Sequence, residues 1–210
     1  MLNIDNNNFS FWSFPMTTAT QIRDRYTVSN LLKKPGEGER TSTDMVIKAR
    51  ARDMGGDFSV MEGVINPKEL LAPHFHKYED QLVYVITSEL EFEVGGKDGF
   101  HFTAPAGSYV QKPRGILHAF WNATNEPCRY IELSGREGFE GFVDGVAQGQ
   151  LKSALTAETD WGLKFDLDDI LRLMKENNLT SLAMSEMPEL PNFPDLPAPL
   201  AKLFNIAQKK

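Results

Sequence analysis

The sequence predicts an all-β fold of antiparallel strands, followed by a helical segment. Two observations support this prediction. Short apolar runs recur between residues 43 and 134, separated by turns rich in glycine and proline, whereas after Gly135 the apolar residues adopt a helical spacing. Many short strands separated by turns are typical of an antiparallel sandwich or small barrel. The region contains no long helical pattern, which argues against a parallel sheet with crossover helices.

Residues 1–42 are predicted to form an N-terminal arm. Four large aromatic residues follow a run of asparagines in this arm, namely Phe9, Phe11, Trp12 and Phe14. Burying each such side chain stabilises a protein by ~1.5–3 kcal/mol, so we expect these rings to pack on the barrel or on a second subunit. We expect a homodimer, because a partner can cover sheet edges that otherwise promote aggregation.

Residues 43–134 form the predicted barrel. Six of its strands are expected at apolar runs, namely residues 45–47, 58–65, 82–86, 90–94, 109–110 and 129–133. Turn sequences such as Gly95-Gly96 lie between these runs. Glycine and proline supply the backbone conformations that tight turns need, so each run is expected to end at its turn.

Residues 135–187 are predicted to form a helical extension, and residues 188–210 a proline-rich tail. One helix face is expected where apolar residues recur at i, i+3, i+4 and i+7, at Phe139, Phe142, Val143 and Val146. A second helix is expected at about residues 167–177, with Asp166 as its N-terminal cap. Five of the twelve prolines lie in the tail, which we expect to be an extended, packed strap.

The composition excludes several classes of partner. Lysine and arginine number 22 and aspartate and glutamate 29, giving a net charge of −7. This charge argues against binding to nucleic acid or to an anionic membrane surface. No apolar run approaches the ~20 residues of a membrane span, and the N-terminus lacks the features of a secretory signal. The single cysteine, Cys128, is interpreted as a buried apolar residue, and its lack of an internal partner fits a cytoplasmic protein.

The histidines indicate a metal site. His74 and His76 are two residues apart, so on a strand both side chains point to the same face. His118 follows the turn Pro113-Arg114-Gly115, on a strand that can close over the same interior. Three convergent imidazoles suit a divalent transition metal such as Fe, Mn, Ni, Co, Cu or Zn.

These histidines lie in motifs that resemble those of the cupins. The second cupin motif, G-x5-P-x-G-x2-H-x3-N, matches in full at Gly107, Pro113, Gly115, His118 and Asn122. The first motif matches at His74 and His76 but has Lys68 and Ser88 in place of its glycines and Gln81 in place of its glutamate. The resemblance implies a double-stranded β-helix, or jelly-roll, barrel. The helical extension is similar to that of quercetin-dioxygenase-like single-domain cupins.

By this resemblance, His74, His76 and His118 are implied metal ligands, and Gln81 takes the place of the carboxylate ligand. Glutamine offers a neutral carbonyl oxygen and cannot act as a general base. Such a site should bind a divalent metal less tightly but polarise an anionic substrate oxygen more. With a shorter motif spacer Asp80 becomes the ligand, although strand alternation places Asp80 on the opposite face from Gln81.

Another group must then move protons. His101, on the strand leading into Gly107, is the candidate catalytic residue beside Gln81. Tyr84 and Tyr109 on flanking strands are interpreted as structural, and Tyr84 should point outward if Gln81 points inward. Arg114 is a candidate contact for an acidic substrate, although a turn arginine is more commonly exposed.

Three functions remain open from the sequence. The leading expectation is a metal-dependent oxygenase acting on an enolisable or phenolic small molecule, based on the three histidines and the dioxygenase-like extension. The second is a non-oxidative isomerase, cyclase or lyase that uses the metal as a Lewis acid or uses no metal, which the replacement of glutamate by Gln81 favours. The third is a non-catalytic small-molecule-binding protein. One barrel can host all of these chemistries, so the fold alone does not choose.

Overall fold

The computed structural model describes residues 18–41, 45–136, 138–147 and 156–181. The aromatic residues predicted to pack from the arm, and the tail from 188 to 210, lie outside these ranges. The chain divides into two units, Met1–Gly36 and Glu37–Lys210. The described part of the first unit contains two short helices, α1 (Ala19–Arg25) and α2 (Val28–Leu31), and a threonine caps the start of each.

The second unit contains most of the secondary structure. Its described strands are β1 (Glu39–Arg40), β2 (Val46–Ala49), β3 (Phe58–Ile65), β4 (Glu69–His76), β5 (Gln81–Val85), β6 (Glu89–Val94), β7 (Phe100–Pro105), β8 (Tyr109–Lys112), β9 (His118–Trp121), β10 (Cys128–Gly135), β11 (Leu163–Phe165) and β12 (Thr180–Ser181). Its described helices are α3 (Gly138–Ala147), α4 (Ala157–Trp161) and α5 (Leu167–Asn177), with a 3-10 helix at Ala51–Met54. Strand pairing therefore begins at β1, inside the stretch predicted as the arm.

The strands form two sheets that face each other, which confirms the predicted all-β jelly roll. The first sheet has the order β1-β2-β3-β10-β5-β8, and the second has the order β11-β4-β9-β6-β7 with β12 beside β4. All of these pairs are antiparallel except the β12–β4 pair. Strands adjacent in space are often distant in the chain, as in the pairing of β10 with β3.

The inner face of the first sheet changes from polar to apolar along its strands. At one end the directly paired residues form what we call the polar row: Ser59, Ser134, Gln81 and Lys112. Directly paired residues share a face of the sheet, so all four side chains lie on the same side. At the other end the inward residues include Val85, Tyr130, Ile65 and Cys128, which belong to the main hydrophobic core. Cys128 is fully buried, as predicted.

The inner face of the second sheet also changes from polar to apolar along its strands. His74 on β4 pairs directly with His118 on β9, and the next inward pair on β9 and β6 is Phe120 with Phe92. The Lys112 ammonium lies 5.2 Å from the centroid of the Phe120 ring, which shows that the polar row faces the second sheet across the interior.

The outer face of the second sheet is covered by α5. Leu70 and Trp121 on this face pack against Leu173 of the helix, and all three side chains are buried. The predicted cap is confirmed, since the Asp166 side chain accepts a hydrogen bond from the backbone N–H of Asp169. Among the described residues, no helix is long and apolar enough to cross a membrane.

The predicted helix with Phe139 and Val143 on one face is α3, and both side chains are buried in the main core. Arg50 anchors this helix through ion pairs to Glu140 at 3.0 Å and Asp144 at 2.7 Å. Gly138 begins the helix where space is limited, because a Cβ there would lie 3.1 Å from Glu79 Oε1 and 3.0 Å from the Trp161 carbonyl oxygen. The start of α3 is therefore held close to the β4–β5 connection.

Candidate metal centre

The structure brings His74, His76 and His118 together inside the barrel. One ring nitrogen from each histidine lies within 4.8 Å of those of the other two, and all three side chains are buried. The closest pair is His74 Nε2 and His118 Nε2, 3.2 Å apart. The convergence predicted for these three histidines is therefore confirmed. We refer to them as the histidine cluster.

Each histidine in the cluster is oriented through its Nδ1 atom. His74 Nδ1 lies 2.7 Å from the Ala72 carbonyl oxygen, and His118 Nδ1 lies 2.9 Å from the Ile116 carbonyl oxygen. A carbonyl oxygen only accepts, so these Nδ1 atoms carry the hydrogen and the Nε2 atoms present lone pairs. His76 Nδ1 lies 3.2 Å from the Glu79 carboxylate in the same way. His76 Nε2 is buried and has no hydrogen-bond partner among the described residues.

Burial keeps these imidazoles neutral. Removal from water lowers the pKa of His76 to about 3, with the positive charge of Lys112 adding to the effect. Burial and neighbouring charges also lower the pKa values of His74 and His118 well below the usual histidine value. Metal ions bind neutral imidazole, so the cluster is in the ligating form at neutral pH.

The histidine cluster fits a divalent transition metal. Two nitrogen ligands each ~2.0–2.1 Å from one ion are separated by about 2.9–3.4 Å in octahedral or tetrahedral geometry. The observed separation of the two closest Nε2 atoms, 3.2 Å, falls in this range. A cation between these facing lone pairs would remove their repulsion and would also give the buried His76 Nε2 a partner.

Gln81 faces the same interior. Its side chain is buried, and the inward residues that follow it on β5, Val83 and Val85, belong to the main core. Gln81 Nε2 donates a hydrogen bond to Ser134 Oγ at 3.2 Å, whereas Gln81 Oε1 is buried without a partner among the described residues. The hydrogen bond to Ser134 orients the Gln81 amide. Gln81 Oε1 is the atom through which Gln81 would act as a fourth metal ligand.

His101 does not join the cluster. Its side chain is 58% exposed, and its Nε2 lies 3.2 Å from Glu91 Oε2. His101 pairs directly with Glu93, whose carboxylate binds Arg172 of α5 on the outer face of the second sheet. The expectation that His101 faces the interior is therefore not met, because the register of β7 turns its inward side to Phe102 and Ala104.

Two further expectations concern residues near the barrel mouth. Asp80 is exposed and paired with Arg114, whose Nε lies 3.1 Å from both carboxylate oxygens. Asp80 therefore points away from the histidines, and Arg114 is already engaged rather than free for a substrate. Tyr84 points outward as predicted and packs against Tyr109, with ring centroids 4.6 Å apart and the rings tilted by 40°.

The turn between β8 and β9 connects the two motifs. Gly115, at a φ of +76°, donates its backbone N–H to the His76 carbonyl oxygen at 2.8 Å. The backbone N–H of Arg114 also donates to the Asp80 carboxylate at 2.9 Å. Non-glycine residues rarely adopt this φ, which explains the glycine of the second motif. The turn thereby holds the ends of β8 and β9, and with them Lys112 and His118, beside the end of β4.

Three further charged residues lie near the histidine cluster and were not predicted from the sequence: Glu79, Lys112 and Glu132. Glu79 accepts the backbone N–H groups of Gly138 at 2.6 Å and Phe139 at 2.9 Å in addition to contacting His76. Burial raises the pKa of Glu79 to about 7, and these backbone hydrogen bonds oppose the shift. Lys112 and Glu132 form an ion pair at 2.6 Å with both side chains 1% exposed. An acidic residue three positions after His76 was the available signal for Glu79, but no local signal marks the other two.

We predict that Glu79→Ala will lower metal affinity by about 10–100-fold, because Glu79 is the only described partner that orients His76 through Nδ1. Equilibrium metal titration against a competing chelator will measure the change. Asp80→Ala is the matched control, since it removes the adjacent exposed carboxylate and should leave the affinity unchanged. Equal affinities for the Glu79 variant and the wild-type protein would show that this contact does not support metal binding.

Comparisons with known proteins agree with this architecture. A family model described as a cupin domain matches residues 61–134. Polyketide synthase CurC from Streptomyces cyaneus is 26% identical over 99 residues, which are 47% of this chain and 58% of that protein. This chain therefore spans little more than half of the length of that relative.

Solved structures that match part of this chain include KdgF from Halomonas sp. and the polyketide cyclase RemF from Streptomyces resistomycificus. KdgF is 20% identical with a TM-score of 0.39, and the match covers 44% of this chain and 76% of that chain. RemF is 21% identical with a TM-score of 0.40, and the match covers 48% of this chain and 69% of that chain.

Proposed function

Residues 61–134 of this chain are a cupin domain, and from that premise we propose that the protein is a metal-dependent enzyme acting on an enolisable or phenolic small molecule. The observation that supports this proposal is the set of acceptor atoms buried in the barrel. His76 Nε2 and Gln81 Oε1 have no hydrogen-bond partner among the described residues, and the Nε2 atoms of His74 and His118 face each other. Leaving such groups unpaired in a protein interior is costly, and a cation bound among them would give them a partner.

The ligand set is uncharged. Among the described residues, the histidine cluster is the one group of three or more histidine, cysteine or acidic side chains close enough together to hold a metal ion. Gln81 adds a neutral oxygen, and the Glu79 carboxylate is engaged by His76 and the start of α3. A divalent ion held by His74, His76, His118 and Gln81 would keep its full charge and act as a Lewis acid toward a substrate oxygen.

The protein's own residues would favour the anionic form of a bound substrate. The neutral histidines and Gln81 bring no negative charge to the centre, so an enolate or phenolate oxygen meets no repulsion there. Phe139 packs edge-on against His76 at 5.3 Å, and Phe165 lies 5.7 Å from His74. These apolar contacts limit the access of water and strengthen electrostatic interactions at the centre.

We propose a non-oxidative reaction, such as a cyclisation or isomerisation, as the first candidate. The neutral glutamine at the carboxylate position favours it, because the site is built for charge stabilisation of an oxyanion. The likeness to a polyketide synthase over part of the chain supports the same substrate class. An oxygenase is the second candidate, since three histidines with open coordination positions also suit oxygen chemistry at a redox metal.

Turnover of β-diketones and hydroxyaryl ketones, with and without oxygen, will test this proposal. The protein should be assayed after reconstitution with Zn²⁺, which has no redox chemistry, and with Fe²⁺. Equal rates under anaerobic conditions and with Zn²⁺ would support the non-oxidative reaction. A requirement for both O2 and Fe²⁺ would support the oxygenase, and a protein that retains neither metal after chelator exchange would contradict the metal-dependent function.

We predict that Gln81→Glu will tighten divalent metal binding by at least ~10-fold. The added carboxylate places a negative charge within a few ångströms of a divalent ion, where the attraction exceeds the cost of burying the carboxylate. Ser134 can donate its hydroxyl to the new oxygen, so the packing is conserved. Metal titration of the two proteins measures the difference, with Gln111→Glu on the exposed side of β8 as the control. Unchanged affinity for Gln81→Glu would show that Gln81 is not a metal ligand.

A further inference from the structure

Lys112 and Glu132 form a second polar site in the barrel. The two side chains lie on the inner face of the first sheet, on strands β8 and β10, which flank β5. The Lys112 Nζ–Glu132 Oε1 distance is 2.6 Å. Glu132 lies among apolar core side chains, since it pairs directly with Met61 and Val83. Lys112 is equally buried. An ion pair in such surroundings costs desolvation energy that its own attraction often does not recover. Packing alone therefore does not account for its presence.

The pair lies beside the proposed metal centre. Lys112 pairs directly with Gln81 in the polar row, and its Nζ lies 5.2 Å from the ring centroid of Phe120. Phe120 is two residues from His118 on β9 and shares its inward face. The turn that follows Lys112 is tied to the backbone of His76 by the hydrogen bond from Gly115. A small molecule bound at the histidine cluster would therefore be within the reach of Lys112.

The hydrogen-bonding capacity of Lys112 exceeds what its described partners use. An ammonium group carries three N–H donors, and the described contacts of Nζ are the Glu132 carboxylate and the face of the Phe120 ring. Glu132 holds the ammonium in place across the first sheet. The remaining N–H donors of Lys112 therefore lie in the barrel interior. Because Glu132 already orients the ammonium, Lys112 does not have to reorient when a substrate binds.

We infer that Lys112, held by Glu132, donates a hydrogen bond to a neutral carbonyl oxygen of the substrate whose anionic oxygen binds at the histidine cluster. The ion pair has no net charge, so it suits a carbonyl better than a carboxylate, which Glu132 would repel. The substrate class is thereby narrowed to β-diketones and acyl phenols, and hydroxy acids are disfavoured. This inference rests on the proposed function and deepens it.

Binding of matched phenols to the Zn²⁺-reconstituted protein will test the inference. The probes are phenol, the three isomers of hydroxyacetophenone and 4-hydroxybenzoate, measured by isothermal titration calorimetry. At least one hydroxyacetophenone should bind the wild-type protein ~10-fold or more tightly than phenol, as expected for one additional hydrogen bond from a charged donor. 4-Hydroxybenzoate, which carries a carboxylate in place of the acetyl group, should show no such gain over phenol.

The variant for this test is the double substitution Lys112→Met/Glu132→Leu, which removes both charges together. It should keep its zinc and its affinity for phenol within about twofold while losing the gain for hydroxyacetophenone. If this variant does not fold, Lys112→Met/Glu132→Gln keeps a polar group at position 132 and takes its place.

The outcomes separate this inference from the proposed function. A wild-type protein without bound zinc would overturn both. If zinc is bound, the inference alone is overturned when no hydroxyacetophenone binds more tightly than phenol, when the gain survives in the double variant, or when phenol and hydroxyacetophenone weaken equally. A preference for 4-hydroxybenzoate would also overturn it, because that result would assign an anion to Lys112.

Discussion

Replacing His118 with alanine is expected to lower the affinity for divalent transition metals by more than ~100-fold. Loss of a residue that only orients a ligand typically costs 10–100-fold, and His118 is proposed to be a ligand itself. Its Nε2 lies 3.2 Å from that of His74, so its removal opens the centre on one side. Metal content after dialysis and competitive chelator titration will measure the loss, and turnover should disappear with the metal.

The exposed histidine supplies the matched control for this experiment. His101→Ala removes an imidazole from the outer face of the same barrel, and its metal content should equal that of the wild-type protein. Metal at 100 times its dissociation constant should also stabilise the wild-type fold by ~2.7 kcal/mol, which raises the melting temperature of a chain of this size by about 5–10 °C. His118→Ala should show no such increase. Full metal content in this variant would exclude the histidine cluster as the binding site.

The second large effect is expected on stability. Lys112→Met should lower the free energy of unfolding by about 3–5 kcal/mol, because it leaves the Glu132 carboxylate buried in the core without its counter-charge. Burial raises the pKa of Glu132. In the variant the Glu132 carboxylate can therefore bind a proton, which reduces the loss of stability. Urea denaturation followed by circular dichroism will measure the change.

Two comparisons make this stability prediction specific. The double variant Lys112→Met/Glu132→Leu should recover most of the lost stability, since no buried charge remains. Arg114→Met removes the exposed pair with Asp80 two residues away, and it should have a much smaller effect than Lys112→Met because water already screens that pair. Equal losses for Lys112→Met and Arg114→Met would contradict the importance of burial.

Much of the fold follows from local patterns. The apolar run at 58–65 corresponds to β3, and the helix expected at about 167–177, with Asp166 as its cap, corresponds to α5. Strand periodicity was also sufficient to place His74 and His76 on one face and Tyr84 on the opposite face from Gln81. Patterns of this kind are set by near neighbours in the chain, which is why they can be recognised without the structure.

His101 shows where local reasoning was insufficient. Whether a residue on β7 faces inward depends on its register with β6, and the two alternatives differ by a shift of one residue. Strand alternation places Phe100 and Phe102 on the face opposite to His101. Phe100 is 76% exposed, so an apolar neighbour at this end of β7 does not by itself identify the inward face. In the structure Phe102 lies on the inner face of β7, where its ring stacks with that of Phe92, and His101 lies on the outer face.

The sequence by itself determined the β-rich architecture, the helical extension and the three histidines of the centre, because repeating strand and turn patterns and two short motifs encode them. Only the tertiary structure decided how the centre is supported. Glu79 reaches backbone N–H groups 59 and 60 residues away, and Lys112 meets Glu132 across strands that are not adjacent in the chain. These contacts depend on sheet register and on the docking of α3, which are set by packing of the whole barrel and leave no periodic signal in the sequence.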